Sequence, residues 1–114
     1  MNEDDFSLYD LRIEVVHHDP GKPLVCKHKL GDTLFVRGST LEMPPGGSFG
    51  LYAMLAVLPF VPAKQRPSAP ADWMSTDAVI ACTDPMCGAG FRITRLEQRI
   101  YSHAAHTLVP ITGN

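Results

Sequence analysis

Apolar and polar side chains alternate along the first element that the sequence predicts. In the segment 8–18 apolar residues are separated by charged ones, as in Leu11, Ile13 and Val15 against Arg12 and Glu14. Because successive side chains of a strand point to opposite faces, this pattern predicts a half-buried β-strand. The acidic and polar residues 1–7 before it lack the pattern, and we expect them to form a flexible N-terminus.

Further extended segments are predicted along the rest of the chain. The run 33–37 is apolar and β-branched between two glycine-containing turns, which favours a second strand. The segments 78–82 and 91–96 predict an antiparallel hairpin with a long loop, although the alternation slips at Arg95-Leu96. The tail 99–111 could add one more extended segment.

One helix is predicted, and it carries no charge. Ser48 is a suitable N-cap for a helix over 49–58, in which every side chain is uncharged. We expect Pro59 and Pro62 to end or kink it, and the proline-rich segment 62–72 to be an extended connection. A helix that is apolar on all sides needs cover on all sides.

These elements predict an α+β fold, with a small, mostly antiparallel sheet or half-barrel of four to five strands and one main apolar helix. The length suits a single domain, which we place at 8–114. One small sheet covers only one face of the helix. We therefore expect a homo-oligomer in which the helix 49–58 contacts a second copy.

Composition narrows the classes of function. The chain is 45% hydrophobic and 19% charged, with a net charge of −2, so it is typical of a globular protein and has no basic excess for nucleic acid. The uncharged stretch 43–63 is broken by prolines and its apolar part falls short of the ~20 residues that cross a bilayer, so we expect no membrane contact. The acidic start does not resemble an export signal, which favours the cytoplasm.

The three cysteines carry the first candidate chemistry. Their number is odd, and in the cytoplasm reduced thiols or metal ligands are expected rather than disulfides. Cys82 and Cys87 are separated by four residues in the hairpin loop, and Gly88 leaves room for a tight turn. With Cys26 and His28 they would form a tetrahedral site for zinc or iron. The alternative is that Cys26 and Cys82 are small buried apolar residues.

Two other arrangements of the same residue types are open. A cysteine nucleophile needs a nearby base, and Cys26 with His28, or Cys82 with a histidine from elsewhere, would supply one. His103 and His106 would share one face of a helix and could hold a metal. The alternative for this pair is two histidines at the surface or the edge of the core.

Three segments together resemble a family of small, mostly bacterial conserved proteins without a characterised function. They are Cys26 through Gly31-Asp32-x-x-Phe35, the glycine-rich entry to the helix at 46–58, and Ala81-Cys82-x-Asp84-Pro85 followed by Phe91-x-Ile93-x-Arg95. The similarity covers most of residues 10–97. It implies that Cys26 and Cys82 are shared features, and it implies no activity, cofactor or catalytic residue.

Two hypotheses follow for the function. The first is an enzyme or enzyme subunit (a lyase, isomerase or hydrolase without an organic cofactor) that acts on a small molecule through a Cys/His site, with or without a metal. The second is a non-catalytic oligomeric binding or accessory module with structural cysteines. An open pocket between the helix 49–58 and the hairpin favours the first hypothesis, and a closed core favours the second.

Overall fold

The computed structural model describes residues 2–112 and contains a five-stranded antiparallel sheet. The order across the sheet is β3-β2-β1-β5-β4. The strands are β1 (Asp5–His17), β2 (Thr33–Arg37), β3 (Thr40–Glu42), β4 (Val79–Ala81) and β5 (Ala89–Ser102). Helices pack on one face, so the predicted α+β class is confirmed.

The two long strands β1 and β5 form the centre of the sheet. Their ladder runs from Asp5 opposite Ser102 to His17 opposite Ala89. The predicted alternation holds, because Leu11, Ile13 and Val15 are at most 1% exposed and form the core with Phe91. β1 begins three residues earlier than the predicted 8–18, since residues 5–7 pair with the end of β5.

β5 is longer than predicted and contains an irregularity where the sequence pattern slips. Tyr9 pairs with Gln98, but Leu11 pairs with Arg95, so β5 has one residue more than β1 at this point. This is a β-bulge, and it explains why the alternation fails at Arg95-Leu96. Beyond the bulge the strand continues to Ser102. The extended segment expected at 99–111 is therefore present only over residues 99–102, as part of β5, and a 3₁₀ turn (His103–Ala105) follows.

The main helix continues through both prolines. α1 (Leu51–Val57) is followed by a 3₁₀ turn (Leu58–Phe60) and by α2 (Val61–Gln65). The prediction of an extended connection over 62–72 is therefore wrong for residues 62–65, which are helical. Each proline is among the first two residues of its helical turn. Backbone N–H groups at those positions have no acceptor within the turn, so the N–H group that proline lacks costs no hydrogen bond.

Only one side of the helical layer is covered by the sheet. Ala53, Val57 and Val61 are buried against it, whereas Leu51, Tyr52 and Leu55 are 57–71% exposed. The helix thus leaves a large apolar face in solvent. Within residues 2–112, no helix has the length and apolar character needed to span a membrane.

The segment after α2 is held to the sheet by two cationic side chains. Lys64 is 3% exposed, and its Nζ atom donates to the carbonyl oxygens of Met74 (2.8 Å) and Asp77. Burial lowers the pKa of this ammonium group. Arg95 on β5 donates to the carbonyl oxygens of Lys64 and Arg66. Trp73 does not anchor the segment, because its side chain is 73% exposed at the start of α3 (Trp73–Thr76).

Candidate functional site

Hydrogen bonds hold the loop after β1 against the loop before β5, at one end of the sheet. Gly88 N–H donates to the carbonyl oxygen of Pro23 (2.8 Å), and its own carbonyl oxygen accepts from Asp19 N–H (3.0 Å). Lys22 Nζ donates to the carbonyl oxygen of Pro85 (2.8 Å). These contacts place the segment before Cys26 against the hairpin loop that contains Cys82 and Cys87.

Gly88 has no space for a side chain at this junction. A Cβ atom there would lie 2.3 Å from the carbonyl oxygen of Lys22 and 2.5 Å from that of Asp19. Both obstacles are backbone atoms, which cannot rotate away. The glycine after the second cysteine is therefore required by the close approach of two loops.

The three cysteines meet at this junction, and Cys87 lies deepest. It is 7% exposed, and its Sγ atom accepts hydrogen bonds from Val25 N–H (3.3 Å) and Ala89 N–H (3.5 Å). Burial raises the pKa of the Cys87 thiol, but hydrogen bonds from the backbone N–H groups and from the Cys82 thiol outweigh it. The pKa falls to about 7, so Cys87 is substantially ionised near neutral pH.

Cys26 and Cys82 are the partners of this thiolate. Burial raises the pKa of each thiol, and so does the neighbouring charge of Cys87. When one of the three thiols ionises, the negative charge therefore resides mainly on Cys87. Both partners are half-buried, so they are more accessible than Cys87.

Cys26 and Cys82 line an open cleft of about 490 Å³ between α1 and the hairpin. Its walls are mainly apolar and include side chains of the loop before α1, of α1 itself and of β5: Phe49, Leu51, Tyr52, Ala53 and Phe91. A cleft of this size suits a small molecule.

His28 also lines the cleft, but its ring is already hydrogen-bonded. Nε2 accepts from Gly50 N–H (2.8 Å), which requires the proton to be on Nδ1, facing Asp32 Oδ2 at 3.4 Å. The ring packs on Phe49, with centroids 4.5 Å apart. His28 therefore orients the start of α1, and this use of Nε2 competes with any role as a base or metal ligand.

The other histidines divide between the two ends of β5. His103 and His106 lie just beyond its last residue, roughly 40 Å from the cysteines along a 14-residue strand. This separation excludes either of them as the base for Cys82. His17 is at the thiol end, but its Nε2 atom is 2.7 Å from the carbonyl oxygen of Lys22.

His103 and His106 each use one ring nitrogen for a backbone carbonyl. His103 Nε2 is 2.6 Å from the oxygen of Val109, and His106 Nδ1 is 2.8 Å from that of Ser102. Within residues 2–112, no three or more His, Cys, Asp or Glu side chains are grouped as a metal site. Zinc or iron at Cys26, His28, Cys82 and Cys87, and a metal on the histidine pair, stay predictions.

Sequence reasoning missed the polar residues around the cleft. Lys27 and Ser48 line the cleft together with Asp32. Lys27 and Lys29 alternate with His28 in the sequence, but alternation in a loop does not show which side chains reach a common cavity. Only the folded loop brings Lys27 into the lining of the cleft, and that lining does not include Lys29.

Comparison of the chain with models of protein families, with curated proteins and with solved structures finds no match. The resemblance to a family of small bacterial proteins therefore stays a prediction. Any argument about function rests on the geometry of the cleft and its three thiols.

Proposed function

We propose that the protein acts on a small molecule in the cleft beside α1, with Cys26 or Cys82 as the attacking thiol and Cys87 as its base. The observation that carries this proposal is the meeting of three thiols at an open cleft. Cys26 and Cys82 line the cleft, and the Cys87 sulfur beside them accepts hydrogen bonds from two backbone N–H groups, which help lower its pKa to about 7. A structural cysteine in an apolar core has a raised pKa instead. The cleft supports the enzyme hypothesis over a closed accessory module.

The roles of the three cysteines follow from how accessible each thiol is from the cleft. Cys87 is too buried to meet a substrate, but its thiolate accepts the S–H proton of Cys82 or Cys26. The thiol that has lost its proton attacks an electrophilic carbon of the bound molecule. Proton transfer between adjacent sulfur atoms needs no histidine, which is consistent with the occupied ring of His28.

Alkylation with iodoacetamide, followed by mass spectrometry of the native protein, tests this proposal. We expect Cys26 or Cys82 to be labelled well before Cys87, with a rate that rises through an apparent pKa of about 7. In Cys87→Ser the rise should move to higher pH, because burial still raises the pKa of the remaining thiols. Circular dichroism of this variant checks that it folds.

Two results would contradict the proposal. One is that all three cysteines resist alkylation in the native protein, as structural cysteines would. The other is that Cys87→Ser leaves the pH profile unchanged. Metal analysis of protein purified without a histidine tag tests the zinc or iron prediction separately, and one equivalent lost in Cys82→Ser would support it.

A second function is favoured by the exposed face of α1. We propose that Leu55 and Leu58, which are 57% and 37% exposed and lie outside the lining of the cleft, mediate self-association, because exposed leucines on a charge-free helical segment favour an apolar partner. Sedimentation velocity tests this: the native protein should associate with rising concentration, and Leu55→Glu should be a monomer. Leu55 is absent from the lining of the cleft, so this variant should retain thiol reactivity.

A further inference from the structure

A second, polar hollow adjoins the thiol cleft. It has a volume of about 390 Å³, and its lining includes Lys27, Lys29 and the loop before α1. The two cavities share three residues at their common boundary: Lys27, Asp32 and Ser48. A single molecule can therefore extend from the apolar cleft into the polar hollow.

The polar hollow has an excess of positive charge. The ion pairs within residues 2–112 include neither Lys27 nor Lys29, so both ammonium groups can meet a ligand. The one carboxylate of the lining, Asp32, already accepts hydrogen bonds from Lys29 N–H (2.9 Å) and the His28 ring (3.4 Å). Two cations against one engaged carboxylate leave the hollow with one net positive charge.

From this arrangement we infer that the molecule bound in the cleft is an organic anion. Its apolar, typically aromatic body packs between Phe49 and Tyr52, and its carboxylate or phosphate group lies near Lys27 and Lys29. Its electrophilic carbon lies within reach of Cys26 or Cys82. The inference rests on the proposed function, and it adds the class of substrate.

Two matched maleimides provide the test: N-phenylmaleimide and its para-carboxylate derivative. In both, a cysteine sulfur adds to the C=C bond, a C–S bond forms, and the adjacent carbon takes the proton. The aromatic ring is common to both reagents, so the ratio of their rates measures the contribution of the negative charge. We expect the carboxylate reagent to react faster, roughly tenfold at low ionic strength and less at high ionic strength.

Variants assign this preference to the two lysines. Lys27→Met and Lys29→Met should each lower the rate ratio, and the double variant should bring it near one. Arg92→Gln is the matched control. It also removes one positive charge, but Arg92 is exposed between the buried Phe91 and Ile93, so it points to the other face of the sheet.

The outcomes separate the inference from the proposed function. Equal rates for the two reagents, or a preference that survives the double variant, would overturn the anionic substrate and leave the reactive thiol in place. If neither reagent reacts, the proposed function fails. The saturated succinimide analogues then test the inference alone by calorimetry, because they cannot be attacked. Tighter binding of the carboxylate analogue that depends on both lysines would support it, and equal binding would overturn it.

Discussion

The two ends of the β1–β5 ladder carry the two groups of chemically interesting side chains and use them differently. At the thiol end, Cys87 accepts hydrogen bonds from backbone N–H groups and stays ionised beside two further thiols. At the histidine end, His103 and His106 each bind a backbone carbonyl and hold the C-terminal tail in place. Backbone contacts thus activate the sulfur atom at one end and occupy the rings at the other.

The surroundings of the two ends also differ in charge. The hollow beside the thiols contains Lys27 and Lys29. The hollow at the histidine end, about 410 Å³, contains three carboxylates: Glu3, Asp4 and Asp5. Arg66 in the same lining offsets only one of these carboxylates, so an organic anion is expected to prefer the thiol end. Residue type alone, Cys or His, therefore does not identify a functional site. The backbone contacts of the side chain and the charges around it do.

The largest effect is expected from Gly88→Ala at the thiol end. The new Cβ atom would overlap the carbonyl oxygens of Lys22 and Asp19, so the two loops must separate, at a cost of about 3 kcal/mol in the free energy of unfolding. Urea denaturation measures this loss. Separation also withdraws Val25 N–H from Cys87, so thiol reactivity at neutral pH should fall with stability.

Gly21→Ala is the control for this prediction. Its Cβ atom would meet only the carboxylate oxygen of Asp19 at 3.3 Å, which is the end of a movable side chain. We expect a change of about 0.5 kcal/mol or less. Equal losses in the two variants would contradict the close approach at Gly88.

A smaller effect is expected from the ionisation of Cys87. Its pKa is about 7 in the folded protein against an ordinary value of 9.0, so folding favours the thiolate. The free energy of unfolding should therefore rise with pH between these values, by about 1 kcal/mol from pH 7 to pH 8. It should be insensitive to this group well below pH 7, where the thiol is protonated in both states.

Urea denaturation of the native protein and of Cys87→Ser across this pH range measures the effect. The rise should be absent in the variant. An identical pH dependence in both proteins would show that Cys87 is not ionised preferentially in the folded state, and the contrast between the two ends of the ladder would then disappear.

The sequence predicted most of the sheet because period-two alternation survives wherever one strand face is buried, as in Leu11, Ile13 and Val15. It missed β3, whose three exposed residues carry no such signal. The prediction also ended the helix too early. In the sequence, a proline near the start of a new helical turn cannot be distinguished from a proline that ends the helix.

The site was harder to predict than the fold. Cys26, Cys82 and Cys87 were singled out, but their spacing suggested a metal knuckle rather than a shared thiolate. The pKa of Cys87 depends on Val25 N–H, which reaches it only because Gly88 lets two loops approach each other. The role of His28 depends on Gly50 N–H in the same way. Contacts between distant backbone groups leave no pattern in a sequence.

The smallest effects are expected at the histidine end. His103→Ala and His106→Ala each remove one hydrogen bond to an exposed carbonyl oxygen, and we expect each to lower the free energy of unfolding by about 0.5–1 kcal/mol. His18→Ala is a suitable control, because His18 is exposed and its ring makes no hydrogen bond to any of residues 2–112. Neither variant of the pair should change the alkylation rate of Cys26 or Cys82, since the two ends are separated by the length of β5. A change in that rate without a loss of stability would show that the histidine end takes part in the chemistry, which the geometry of the ladder gives it no means to do.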